Sequence, residues 1–404
     1  MLQGDRLTSE QRLIGRILAA DWSTGARRDW PLPWFDGIDW NTVATLTWQH
    51  KLRPMTLAAL QEAGWPGVPG AIREAIERDA RKCGLKSIRQ LTSLRAVAAA
   101  AMAAQLRLIA LKGLPLSMLL YGDPFIREAF DLDLMTSPAD YAQTKKILEE
   151  CGFRPVVPEE WTTPRQSAIL ASFRHEEQYV HGDGTMIELH RAVDRNTWRL
   201  SIDFEDLWRD RQLVQVGQDR IAIPGDRHLI LFLGIHAARH AWARWKWVGD
   251  LVVLYRKSGP EALVRQRDLA KAEGLMQYFD SALLLANTIT GWPLPAELAD
   301  AVRMNKRAAC LSQRALKFST QAVTPNEAAR HGYKSRHLIF VLQLNRDPRY
   351  LAHEFLSMVH RRRDWYALRL PDYLIPAYYL IRPCSYIWRR VPQLIRFIGG
   401  RNRR

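Results

Sequence analysis

The apolar positions near the start of the chain recur at helical spacing. From residue 7 to about 105 the pattern predicts helices. Ser9 is placed to cap the first, which runs through LIGRILAADW, and Asp39 or Asn41 the second. In the second, Val43, Leu46, Leu52, Met55, Leu57 and Leu60 make one apolar stripe. GWPGVPG at 64–70 is a turn cluster, and the charged, then alanine-rich stretch 71–105 is good helix material throughout.

At residue 106 the period changes. LRLIALKG is a short apolar run ended by glycine, which predicts a buried strand, and LPLSMLLYG returns to helical spacing. Phe130 to Met135 alternate strictly, a strand that carries Asp131 and Asp133 on one face. A helix follows, with Ser137 at its N-cap, Pro138 at its first position and Gly152 at its end. HEEQYVHGDGTMIELH reads as a hairpin turning at GDG. From about 204 the pattern predicts helices only: one from Asp226, one over WVGDLVVLYRK, and others near 260–272, 275–290 and 297–318.

The expected fold class is therefore α+β: a small mixed sheet flanked by helical regions. The regions are 1–105 (N-terminal helices), 106–203 (mixed-sheet core), 204–330 (helical, substrate side) and 331–404 (basic C-terminal region). A 404-residue chain with 47% hydrophobic residues can bury a real core, which excludes a disordered or fibrous protein. The four cysteines have no metal-ligand spacing and read as isolated thiols of a reducing compartment.

Charge changes the picture. The net charge is +16, and residues 334–404 supply +11 of it. A basic tail on a nearly balanced body fits an anionic partner such as nucleic acid, a membrane surface or a polyphosphate; a solvated basic tail is the plainer reading. Neither a signal peptide nor a transmembrane segment is evident, because the apolar stretch 370–388 is broken by prolines and charges. The expected location is cytoplasmic, with a peripheral place at the inner membrane allowed by the tail.

The candidate chemistry centres on LKGLPLSMLLYGDPFIREAFDLDLMT. Two aspartates at i and i+2 on a strand project together and repel unless a cation lies between them. Within a mixed α/β unit this points to Mg²⁺ or Mn²⁺, which take carboxylate and phosphate oxygens and can serve phosphoryl displacement. A DxD pair alone also fits a solvated strand face. Lys112 and Gly113, at a strand-to-helix turn, suit a triphosphate, although the same pair also makes a plain turn. Arg127 is a second phosphate candidate, or else an ion-pair partner of the aspartates. In TMIELH, Met186, Glu188 and His190 share a face, so Glu188 can supply a third carboxylate or a base, while His190 reads as a packed or supporting histidine. His236 and His240, at i and i+4, can hold a transition metal, or with Arg239, Arg244 and Lys246 a phosphate or base. Packing among Trp242, Trp245 and Trp247 is the alternative.

Taken together, LKG (Leu111 to Gly113), LYGDP (Leu120 to Pro124), Arg127, DLDL (Asp131 to Leu134), ELH (Glu188 to His190), HAARHAW (His236 to Trp242) and WVGDL (ending in Asp250 and Leu251) resemble a known family. It is the polymerase-beta-like nucleotidyltransferase superfamily, in its bacterial branch termed nucleotidyltransferase family protein. The resemblance implies Mg²⁺ and an NTP as co-substrate, with transfer of an NMP and release of pyrophosphate. It implies Asp131, Asp133 and Glu188 as catalytic and metal residues, and Lys112, Gly113, Arg127, His236, His240 and Arg244 on the nucleotide side. Glu188 stands where the family more often has Asp, no serine follows Gly113, and the gap to Asp131 is long. The acceptor is left open: a small molecule, a peptide or protein, or RNA. Two rivals remain, a non-catalytic nucleic-acid- or membrane-surface-binding protein on a degenerate scaffold, and an HxxxH metalloprotein that lacks the glutamate of HExxH.

Overall fold

The structure is a computed structural model that describes residues 7–23, 27–157, 163–196, 202–320, 331–359 and 370–378. Its first helix, α1 (Ser9–Ala19), is capped by Thr8 rather than Ser9. The Thr8 hydroxyl accepts from the Gln11 backbone N–H, while the Gln11 side chain accepts from that of Thr8. This reciprocal box satisfies two otherwise orphaned donors. The stripe read as a single helix is two, α2 (Trp40–His50) and α3 (Arg53–Ala63). Asp39 caps α2 as expected; Lys51 then turns into the left-handed region and Pro54 opens α3. The turn at 64–70 leads into α4 (Gly70–Ala103), 34 residues long.

The sheet follows in the predicted sequence range. It comprises β1 (Leu108–Ala110), β2 (Leu132–Thr136), β3 (Phe153–Pro155), β4 (Glu176–His181) and β5 (Met186–His190), in spatial order β1-β2-β5-β4-β3. Only β2 and β5 run parallel; the other neighbours are antiparallel. Between β1 and β2 lies α5 (Leu114–Tyr121), between β2 and β3 lies α6 (Tyr141–Glu150), and between β3 and β4 lies α7 (Pro164–Ser172). α6 starts one turn later than expected. The Ser137 hydroxyl accepts from the Asp140 N–H and closes a turn, and Asp140 becomes the N-cap position.

Beyond α8 (Phe204–Arg209) the structure departs from the all-helical expectation. Residues Gln212–Val216 (β6) and Asp219–Ile223 (β7) form an antiparallel hairpin. Val214, Val216, Ile221 and Ile223 point inward, and the turn uses Gly217 at φ 66°. The helices α9 (Asp226–Arg239), α10 (Lys246–Ser258), α11 (Pro260–Ala272) and α12 (Met276–Thr290) come next. The helix expected over 297–318 is divided into α13 (Ala296–Met304) and α14 (Lys306–Thr320). Asn305 makes the break: its side chain accepts from the Ala308 N–H and donates to Asp280. α15 (His331–Gln343) and α16 (Pro348–Val359) follow among the described residues.

The class is α+β, as expected. One hydrophobic core runs from Leu13 in α1 to Tyr350 in α16 and takes in the sheet. α1 approaches α12 so closely that a methyl group on Gly15 would lie 1.9 Å from the Ile289 carbonyl oxygen. No helix of the described residues is long and apolar enough to cross a membrane. Much of the basic region expected to meet an anionic partner, 360–369 and 379–404, lies outside the described residues.

Candidate active site

Register brings the acidic residues together. β2 and β5 are parallel neighbours, and Asp133 pairs across them with Glu188. Side chains of paired residues share a face, so the two carboxylates stand beside each other. Asp131 precedes the strand by one residue and projects to the same side by alternation.

The turn after β1 sets Lys112 against this face. Leu111 extends the ladder by donating to the Asp133 carbonyl. Gly113 then turns with φ 84° and ψ −141°, a conformation open essentially to glycine alone. Lys112 Nζ reaches Asp133 Oδ1 at 2.6 Å. His190 Nε2 lies 3.1 Å from the same oxygen. The other oxygen, Asp133 Oδ2, is buried and has no hydrogen-bond partner.

The electrostatics follow from crowding. Burial and the neighbouring Asp133 raise the Asp131 carboxyl. Burial also pushes Asp133 up, but the Lys112 ammonium and the His190 contact outweigh it and hold that carboxyl well below its usual range. Burial and the charges of Asp133, Glu176 and Asp131 push Glu188 up to about 7. Gln178 Nε2 donates to Glu188 Oε1 at 2.8 Å. Burial would lower Lys112, yet Asp133 and Asp131 raise it.

Opposite the carboxylates stands a basic and aromatic wall. An open cleft lies between, lined on the acidic side by Asp131, Asp133, Glu176 and Glu188, and on the other by His236, Arg239, His240, Arg244, Lys246 and Trp247. Lys112, Gly113 and Arg127 line it too. All nine residues singled out in the sequence thus meet in one cleft.

Their partners differ in places from expectation. Arg127 pairs not with the aspartates but with Asp250, its Nε lying 2.9 and 3.0 Å from the two carboxylate oxygens. Both residues are buried, and the Tyr121 hydroxyl donates to Asp250 at 2.9 Å. His236 and His240 have ring centroids 4.8 Å apart, and His240 stacks on Trp247. Burial drives both imidazoles well below their ordinary range, with nearby cations adding to the effect. They therefore present neutral rings. Among the described residues, no group of three metal-ligating side chains that includes either histidine converges.

Two residues that line the cleft, and a third that holds one of its lysines, escaped sequence reasoning. Glu176 pairs with His190 across β4 and β5, a placement set by strand register and not by alternation along either strand. His175 adjoins it, with Nε2 at 2.9 Å from Glu176 Oε2. Glu128 is buried, receives Arg53 at 2.5 and 2.9 Å, and offers its carbonyl oxygen to Lys246 Nζ at 2.9 Å. Burial, reinforced by Arg127, lowers Lys246 to about 7.

The profile of the family described as uncharacterised nucleotidyltransferase matches residues 36–291, more than half of the chain. The protein belongs to this family, and its enzymatic class is that of transferases moving a nucleoside monophosphate. None of the curated proteins matches the chain. Among solved structures, that of the antibiotic-resistance factor ANT(2'')-Ia covers 46% of this chain and 94% of its own, with 15% identity and a TM-score of 0.35.

Proposed function

We propose that this chain carries out metal-dependent nucleotidyl transfer, moving an NMP from an NTP to an acceptor and releasing pyrophosphate. One observation carries the reading: Asp133 and Glu188 are forced side by side by the β2–β5 register, with a buried oxygen of Asp133 left unpartnered. Such an oxygen is costly unless a cation or donor satisfies it. The donor set suits a divalent ion, Mg²⁺ or Mn²⁺, with Asp131, Asp133 and Glu188 as its holders. When bound, that ion supplies charge neutralisation at the phosphates and orients their oxygens.

The remaining roles belong to the chain's own groups. Lys112, now clasped to Asp133, adds positive charge beside the Gly113 turn. Arg244 and Arg239 on the opposite wall favour the phosphates. Arg127 adds its charge from beneath the cleft while Asp250 fixes it. The neutral His236 and His240 offer hydrogen bonds and a flat surface to sugar or base instead of charge. A hydroxyl or phosphate oxygen of the acceptor attacks the α-phosphorus. Glu188, raised towards neutrality, is suited to accept a proton there when it is not engaged with metal.

The test is label transfer. Purified protein is incubated with each α-³²P-labelled NTP, Mg²⁺ or Mn²⁺ and a cell extract, beside an Asp131→Ala/Asp133→Ala double variant. Transfer by the unaltered protein alone is expected, and nuclease or protease sensitivity of the product then assigns the acceptor to RNA, protein or small molecule. NTP binding that needs no metal and survives both substitutions would sink the reading.

A further inference from the structure

We propose that His190 is itself a ligand of the divalent-metal centre, making it a mixed carboxylate–imidazole site that takes Mn²⁺ in preference to Mg²⁺. The inference rests on the metal-dependent reading of the same cleft and adds the metal's identity to it.

His190 stands two residues after Glu188 on β5, on the same face, and is buried. Its Nε2 faces three carboxylates: Asp133 Oδ1 at 3.1 Å, Glu188 Oε2 at 4.0 Å and Glu176 Oε2 at 4.0 Å. One ligand atom each from Asp133, Glu188 and His190 lies within 4.8 Å of the others. The His175 ring packs edge-on to the His190 ring, with centroids 5.3 Å apart, and fixes its plane. The buried Asp133 Oδ2, without a hydrogen-bond partner, is an acceptor that a cation would satisfy. A nitrogen in the donor set matters because Mg²⁺ demands hard oxygen ligands and keeps its waters, whereas imidazole suits the transition metals.

The competing account makes His190 a positioning residue that only donates its N–H to Asp133. Electron spin-echo spectroscopy of bound Mn²⁺ separates the two, since a directly bound imidazole imprints ¹⁴N coupling on the manganese signal. The expected result is ¹⁴N modulation in the unaltered protein, its loss when the protein is grown with ¹⁵N-histidine, and its loss in His190→Gln. Mn²⁺ affinity in that variant should fall by about 10-fold or more, with Mg²⁺ affinity changed far less.

Bound Mn²⁺ without nitrogen coupling would overturn the proposal and leave nucleotidyl transfer standing. Equal losses of Mn²⁺ and Mg²⁺ affinity in a folded His190→Gln would do the same. Absence of any divalent-ion binding together with absence of label transfer would overturn both. Should His190→Gln not fold, His175→Gln decides together with the ¹⁵N-histidine experiment: the ¹⁴N modulation is expected to persist in it, and its loss there would overturn the proposal.

Discussion

Glu188 stands directly opposite Asp133 across the parallel pair of β2 and β5, and the two carboxylates share one face with Asp131 and Glu176. Without metal this crowding costs stability. Glu188 has a folded-state value of about 7 against an ordinary 4.5. A raised acid keeps its proton in the folded chain, so its stabilising contribution is full below about 4.5 and is lost as pH rises through about 7. Glu188→Gln, which keeps an oxygen for Gln178, should therefore raise the melting temperature in chelator at pH 8 by about 3 °C or more. At pH 5 the gain should shrink. Transfer activity should drop on the order of 10²-fold. Calorimetry at the two pH values checks the first part, and a variant that melts lower at pH 8 would contradict it.

The Arg127–Asp250 pair is buried on both sides, so its partners cannot be separated cheaply. Asp250→Asn leaves the guanidinium without a counter-charge and should cost about 3–5 kcal/mol. An Arg127→Met/Asp250→Leu double variant should recover most of that loss, which denaturant titration measures. A single variant as stable as the double would show that the pair is not desolvated.

Lys246 is held near a value of 7 by burial and by Arg127, against an ordinary 10.5. Between about 7 and 10.5 the unfolded chain carries a proton that the folded chain has released, so this group makes stability rise with pH across that window. A triphosphate in the cleft favours the charged ammonium. Nucleotide binding at pH 8 should thus take up as much as one proton, seen as a binding enthalpy that changes with the ionisation enthalpy of the buffer. Lys246→Met should abolish that dependence; its persistence would assign the uptake elsewhere.

Gly15 lies where α1 crosses α12, with the Ile289 carbonyl occupying the space a methyl group needs. Gly15→Ala should destabilise by about 1–3 kcal/mol through forced separation of the helices, despite alanine's better helix propensity. A stabilised variant, measured by thermal unfolding, would refute this packing.

The sheet and its carboxylates were legible because alternation and glycine turns are local signals: DLDL, KG and ELH each declare their geometry within a few residues. The cross-strand neighbours were not, since register between β2, β5 and β4 is a long-range property, and Glu176 and His175 became visible only through it. Arg127 was recognised, but its partner lies on α10, and nothing near it in sequence names Asp250. The β6–β7 hairpin was missed because its apolar alternation is brief and sits between strongly helical stretches. The division at Asn305 depended on a side chain reaching Asp280 in another helix.

The contact between α1 and α12 also bears on how the molecule is made. On the ribosome, the apolar face of α1 emerges early, while residues 276–290 that pack on it are added only after the sheet and α9 to α11. At roughly 5–20 residues per second the wait is tens of seconds. During translation the amino-terminal helices must therefore be sheltered by chaperones or by one another, and a prematurely terminated chain ending before α12 is the form most exposed to aggregation.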